Sequence, residues 1–228
     1  MIRISGHALT PVTADLFDAL ESDRQWTESL GDGAMVLRRF ALPLETALLE
    51  AVHEVAARSP WRQMVTPGGF RMSVAMTNCG RYGWVTDRRG YRYQETDPAS
   101  AEPWPPMPPV FHELARNAAE QAGFPGFDPD ACLVNRYQPG ARMSLHQDRD
   151  ERDFDAPIVS VSLGVPAVFL FGGLRRSERP QRVPLEHGDV VVWGGPARLR
   201  YHGVARLAQW CHPATGGCRY NLTLRRAC

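Results

Sequence analysis

Apolar and polar positions change period several times along this chain. Over Pro43–Arg58 apolar residues recur at Leu44, Leu48, Val52 and Val55, which predicts a helix with one face on a core. Phe111–Ala122 reads as a second helix. Elsewhere the period drops toward two: Ala34–Phe40, Met72–Asn78 and Tyr82–Thr86 read as short strands, with a turn at Pro67-Gly68-Gly69. From Ala131 six further strand segments follow, ACLVNRY, MSLHQD, IVSVSLG, AVFLFGG, DVVVWGG and CRYNLTLRR, separated by Gly and Pro turns. That spacing predicts an α+β, mainly β domain: a sandwich or barrel in the C-terminal half with the two helices packed outside it. Residues 1–33 are polar and mixed, with a short helical pattern at Leu16, Phe17 and Leu20 and turn signals at Gly31 and Gly33. They are expected to form a loosely attached segment before a single domain over 34–228. Residues 87–110 are rich in charge, aromatics and proline, the composition of a functional loop more than of a linker.

The last strand carries chemistry. Alternation puts Arg219, Asn221, Thr223 and Arg225 on one face and Tyr220, Leu222 and Leu224 on the other. Two guanidiniums on the inner face of a barrel are costly unless an anion pairs with them, and a dicarboxylate such as 2-oxoglutarate would satisfy both, one at each end. A solvated edge strand with its polar face outward is the alternative. Asn135 and Tyr137 share a face with Ala131 and Leu133, which suggests hydrogen bonds to something buried there.

His146-Gln147-Asp148 ends an alternating segment, so His146 and Asp148 are expected on the same side. Two histidines and one carboxylate leave adjacent metal positions open, the set that suits non-haem Fe(II) oxygenases. His202 lies 54 residues beyond Asp148, room for several antiparallel strands to return it as the third ligand. His187-Gly188-Asp189 has the same spacing, but it opens the run VVVW and reads as a turn. Cys211-His212 with Cys218 matches no standard zinc spacing and lacks a fourth ligand. His7, His53, His112 and His212 have no comparable partners in the sequence and read as surface residues.

Composition narrows the class. Of 228 residues 43% are apolar and 22% charged, which excludes disorder as the main state. No run approaches the roughly 20 apolar residues of a bilayer span, and the N-terminus lacks an apolar stretch after a basic start. Five scattered cysteines read as reduced thiols, so the expected location is the cytoplasm. The net charge of +1 neither implies nor excludes nucleic acid. All 26 basic residues are arginine, which codon bias explains more simply than function.

In order along the chain, RQMVTPGG, MSVAMTNCG, PDACLVNRYQPGARMSLHQDRDE, APIVSVSLG, LEHGDVVVWGG and CRYNLTLR resemble the AlkB family of Fe(II)- and 2-oxoglutarate-dependent dioxygenases that dealkylate DNA. The resemblance runs from about Ala34 to Arg225 and leaves residues 1–33 uncovered. It implies a double-stranded β-helix (jelly-roll) core over about 131–226 with flanking helices, and a nucleotide-recognition lid over about 60–110. It implies iron ligands at His146, Asp148 and His202. Asn135, Tyr137, Arg219, Asn221 and Arg225 would hold 2-oxoglutarate, with dioxygen as the second cosubstrate. Trp84, Tyr91, Tyr93, Asp150 and Arg176 fall where the family contacts the damaged nucleotide. Arg149 stands where similar sequences often have lysine, with charge kept. The implied reaction is oxidative demethylation of 1-methyladenine and 3-methylcytosine, releasing formaldehyde, succinate and CO2, by a monomer with no membrane partner. Single-stranded DNA is the expected substrate, with duplex DNA or RNA behind it. Trp84 and the His146 ring would sandwich a flipped base, and Arg88, Arg89 and Arg92 suit phosphate contacts. Asp150 and Glu151 would favour these cationic bases over neutral ones. Two other readings stand beside this one: an iron/2-oxoglutarate hydroxylase of a protein or small molecule, and a jelly-roll binding module without catalysis.

Overall fold

A computed structural model describes residues 25–228. In chain order the elements are β1 (Trp26–Gly31), β2 (Ala34–Arg38), α1 (Glu45–Arg58), β3 (Ala75–Gly80), β4 (Gly83–Asp87), β5 (Gly90–Gln94), α2 (Pro109–Gln121), β6 (Ala131–Tyr137) and β7 (Met143–His146). They continue with β8 (Ile158–Gly164), β9 (Ala167–Phe171), β10 (Gln181–Leu185), β11 (Val190–Trp193), β12 (His202–Val204) and β13 (Arg219–Arg225). One sheet runs β1-β2-β11-β8-β13-β6-β3, a second runs β10-β9-β12-β7, and β4 and β5 form a separate two-stranded ribbon. Every named pair is antiparallel. These sheets are the jelly-roll.

The layers follow from the side-chain periods. The outer face of the large sheet, with Leu222, Leu224, Val159, Val161 and Val134, packs on Leu48, Val52 and Val55 of α1 and Phe111, Leu114 and Ala118 of α2. Its inner face meets the small sheet through Ile158, Val191 and Trp193 against Phe169, Phe171, Val183 and Leu185. The central strands β8 and β13 are therefore buried on both faces, and polar residues on the inner one need partners or a ligand.

Several elements differ from what the pattern predicts. The segment expected to be loosely attached contributes an edge strand from Trp26 onward, hairpinned to β2 across Gly31 and Gly33. The helical pattern at Leu16, Phe17 and Leu20 lies outside the described residues. Leu44 belongs to a 3-10 turn ahead of α1 and is exposed, out of phase with Leu48. The stretch 87–110 contains β5. Among the described residues no helix is long and apolar enough to cross a membrane, and all five cysteines are free thiols.

The His187-Gly188-Asp189 turn is structural. Gly188 has φ +86°, and Asp189 accepts from the Arg39 and Glu186 amides at 3.0 and 2.9 Å and from Arg38 Nη1 at 2.6 Å. Asp189→Ala leaves the Arg38 guanidinium buried with Glu28 as its remaining carboxylate. It should cost about 3 kcal/mol, a fall of about 6–12 °C in thermal midpoint, measured by calorimetry. A midpoint within a degree of wild type would contradict that role.

Candidate functional site

β7 and β12 pair with His202 directly opposite His146, which brings residues 56 positions apart side by side with ring centroids 4.4 Å apart. The approach is close: a Cβ on Gly203 would sit 2.6 Å from the Met143 carbonyl oxygen, so a side chain there would part the strands that align the histidines. β7 stops at His146, and Asp148 lies past its end, so strand alternation is not what orients it. It is held instead by Arg198, whose Nη1 donates to the Asp148 carbonyl at 2.7 Å, and by Gln147 Nε2 on the Leu199 carbonyl at 2.6 Å.

His146 Nδ1 donates to the Ser144 carbonyl at 2.9 Å and His202 Nδ1 to the Arg200 carbonyl at 3.1 Å. A carbonyl only accepts, so each Nδ1 is the donor, and Nε2 is the nitrogen that a neutral ring offers to a metal. Those Nε2 atoms lie 3.6 and 3.5 Å from the two oxygens of Asp148. One atom from each of the three residues falls within 4.8 Å of the others, and among the described residues this is the set of side chains placed to hold a metal. Partial desolvation in the cleft, with His202 beside it, lowers the His146 pKa from the ordinary imidazole value, which favours the neutral ring that a metal binds. Burial works against the Asp148 charge, but Arg225 and His202 outweigh it and hold the carboxyl well below the usual range. Two imidazoles presenting Nε2 and an ionised carboxylate, with open positions beside them, fit Fe(II).

Beside the triad, the inner face of β13 lines a cleft with Asn135, Tyr137, Ser160 and Trp193. Arg219 is 2% exposed. Its Nη2 donates to Ser162 Oγ at 3.0 Å, its guanidinium lies 5.1 Å from the Tyr137 ring centroid, and Nε and Nη1 have no partner. Burial pulls its pKa below the ordinary arginine value. An unpaired buried guanidinium is the receptor a carboxylate requires. Arg225 differs: Nη2 and Nε donate to Asp148 Oδ2 at 2.6 and 3.0 Å, and Nε lies 3.3 Å from Glu151. A dicarboxylate thus meets a free guanidinium at Arg219 and a shared one at Arg225. Asn221 donates to Ser160 Oγ and the Val161 carbonyl at 2.8 and 2.9 Å, while Asn135 reaches Asn221 at 3.3 Å and keeps its own Oδ1 unpartnered.

Above this cleft stands the β4–β5 ribbon. Trp84 stacks on Tyr91 at 5.6 Å and 17°, and its Nε1 donates to Asp150 Oδ2 at 2.8 Å. The Tyr93 hydroxyl donates to Glu151 Oε1 at 2.7 Å. Of the loop arginines, Arg89 and Arg92 are tied to Asp87 and Arg88 is exposed. Arg176 is exposed between β9 and β10 and in none of these hydrogen bonds. Glu151 is buried against Arg198 and Arg225, which leaves Asp150 as the acid available beside Trp84. His112 and His212 have neighbours the sequence pattern does not reveal, Asp128 at 2.7 Å and the His187 ring at 4.4 Å.

Four contributors escape the sequence reading. Ser160 and Ser162 left a signal, hydroxyls at alternate positions of an apolar strand. Arg198 and the structural role of Glu151 left none.

Comparison with known proteins agrees with this geometry. The family model of the 2OG-Fe(II) oxygenase superfamily matches residues 33–225. The chain is 57% identical over 212 residues to the alpha-ketoglutarate-dependent dioxygenase AlkB of Escherichia coli K12, covering 93% of this chain and 98% of that protein. It is 30% identical to the DNA N(6)-methyladenine demethylase ALKBH1D of Arabidopsis thaliana, over 77% of this chain and 43% of that one. Among solved structures, OsALKBH1 superposes with a TM-score of 0.76 at 28% identity, covering 88% of this chain and all of that one.

Proposed function

This chain belongs to the 2OG-Fe(II) oxygenase superfamily, and on that premise we propose how its residues carry out the reaction. It is an Fe(II)- and 2-oxoglutarate-dependent dioxygenase that oxidatively demethylates alkylated bases of nucleic acid. The observation that carries the reading is the convergence of His146, Asp148 and His202 next to the unpartnered, buried guanidinium of Arg219.

In this reading His146, Asp148 and His202 hold iron, and Arg219, backed by the Tyr137 ring, pairs with the far carboxylate of 2-oxoglutarate. Asn135 and Asn221 supply amide hydrogen bonds along the cosubstrate, and Arg225 offers its shared charge near Asp148. Bound iron, with 2-oxoglutarate and dioxygen, supplies oxidation of the N-methyl carbon, which leaves as formaldehyde while succinate and CO2 form. The protein orients the cosubstrate, excludes water and positions the base. Trp84, stacked on Tyr91, presents a ring to one face of a flipped base, with the His146 ring toward the other. Tyr93 supports that ribbon, and Arg176 extends the contact surface toward the nucleic-acid backbone. Asp150, held by Trp84 Nε1, sets a negative charge beside the base. That charge selects cationic 1-methyladenine and 3-methylcytosine over neutral bases.

The substrate form we propose is single-stranded DNA, which spares the enzyme the unpairing that a duplex imposes. The protein acts as a monomer in the cytoplasm. Turnover of 1-methyladenine in single-stranded DNA, duplex DNA and RNA of one sequence tests the preference. The single strand should be fastest, and a faster duplex would overturn it. Trp84→Ala should weaken binding of the methylated oligonucleotide by about 10–100-fold, the loss of one stacked ring, with 2-oxoglutarate affinity within about twofold. Fluorescence anisotropy and a cosubstrate titration measure both, and equal losses would return Trp84 to a packing role.

A further inference from the structure

The β4–β5 ribbon pairs with neither large sheet. Trp84 and Tyr93 are direct partners in its register, so both side chains leave the same face. Both reach the segment that follows Asp148: Trp84 Nε1 to Asp150 at 2.8 Å and the Tyr93 hydroxyl to Glu151 Oε1 at 2.7 Å. Glu151 has a side chain 1% exposed. Its Oε2 lies 3.2 Å from Arg198 Nη2 and its Oε1 3.3 Å from Arg225 Nε. Arg225 donates through Nη1 to the Tyr93 hydroxyl at 3.3 Å and through Nη2 to Asp148 Oδ2 at 2.6 Å. A continuous chain, Tyr93–Glu151–Arg225–Asp148, runs from the ribbon to a metal ligand.

One guanidinium therefore serves two carboxylates, and the oxygen of Asp148 that it grips is one that a metal ion competes for. A buried glutamate needs a partner but has no need to share it with a metal ligand. We propose that Glu151 is a positioning residue that couples the ribbon to the metal centre. A base docking on the Trp84 face shifts Tyr93 and Glu151 so that they draw Arg225 toward themselves, and Asp148 then holds the ion more tightly. Coupling of this kind is reciprocal: the ion must tighten the oligonucleotide by the same factor. The inference rests on the reading of the site as an iron centre acting on a nucleic-acid base.

The test uses Co(II), which does not turn over, titrated into the full chain with 2-oxoglutarate and followed by its visible absorption. Titrations are run with and without a 1-methyladenine oligonucleotide. In wild type the oligonucleotide should tighten Co(II) about tenfold. Tyr93→Phe, which removes only the hydroxyl, should reduce the coupling factor, the ratio of Co(II) affinities with and without saturating oligonucleotide, to about two or less. Glu151→Gln hands Arg225 wholly to Asp148, so it should weaken Co(II) about tenfold without oligonucleotide and abolish the coupling, and Glu151→Asp, which keeps the charge, should recover most of that affinity. If Glu151→Gln fails to fold, Tyr93→Phe decides alone. A coupling factor left at the wild-type value by Tyr93→Phe overturns the relay. A wild type that demethylates the oligonucleotide yet shows a factor of one overturns the relay and leaves the function standing. A wild type that neither binds nor demethylates it overturns both.

Discussion

In the His146→Ala protein, demethylation is expected to fall below detection while the far-ultraviolet circular dichroism and unfolding midpoint stay close to wild type. The reason is positional. His146 is the last residue of β7, its side chain is 39% exposed, and its hydrogen bond is a local one to Ser144. Little of the fold leans on it. The site, however, has three donors, and loss of one should weaken the metal by more than about 100-fold, beyond what loss of a supporting partner costs. Metal titration and formaldehyde release measure the two effects. Retained formaldehyde release by the variant would remove His146 from the metal site.

Arg219→Ala should raise the 2-oxoglutarate requirement on the order of 100-fold, about 2.7 kcal/mol, because the variant lacks the guanidinium that would pair with the carboxylate in a buried cleft. Two further expectations separate this from general damage. Nε and Nη1 are unpartnered without a ligand, so the ligand-free protein should lose little stability when that buried charge is removed. The rise in melting temperature that 2-oxoglutarate gives the wild type should vanish. Arg219→Lys keeps a charge without the fork and should fall between the two. An unchanged 2-oxoglutarate requirement in Arg219→Ala would place the far carboxylate elsewhere.

Much of this architecture is legible in side-chain periods, because the long elements bury one face or both. β13 announces two faces by strict alternation, and the structure puts Leu222 and Leu224 on the helices and Arg219, Asn221 and Arg225 in the cleft. The elements that are not legible have physical reasons. β1, WTESLG, is an edge strand with mostly exposed side chains and carries no alternation. β10 contains Pro184, which reads as a strand breaker and is tolerated because β10 is an edge. β12 is three residues long. β5 sits in a stretch whose prolines and charges mask the alternation of Tyr91 and Tyr93.

The site divides the same way. His146 and Asp148 are visible as a local pair and His202 as a distant third candidate, while the antiparallel pairing of β12 with β7 that sets it opposite His146 is not legible locally. The ion-pair network around Asp148 spans Tyr93 to Arg225, and nothing local in the sequence marks Glu151 as its centre rather than as a surface acid. Pairings of that range are created by sheet topology, which periodicity constrains only loosely.

Incubating the protein with Fe(II), ascorbate, 2-oxoglutarate and a 1-methyladenine oligonucleotide in air, then measuring oligonucleotide mass and formaldehyde, decides whether it is a nucleic-acid demethylase. The expected result is loss of one methyl group with formaldehyde released in equal amount, and neither when 2-oxoglutarate is omitted. Succinate formed with the methyl group intact would contradict the nucleic-acid substrate and keep the dioxygenase. No product from folded, iron-loaded protein would contradict the catalytic reading itself.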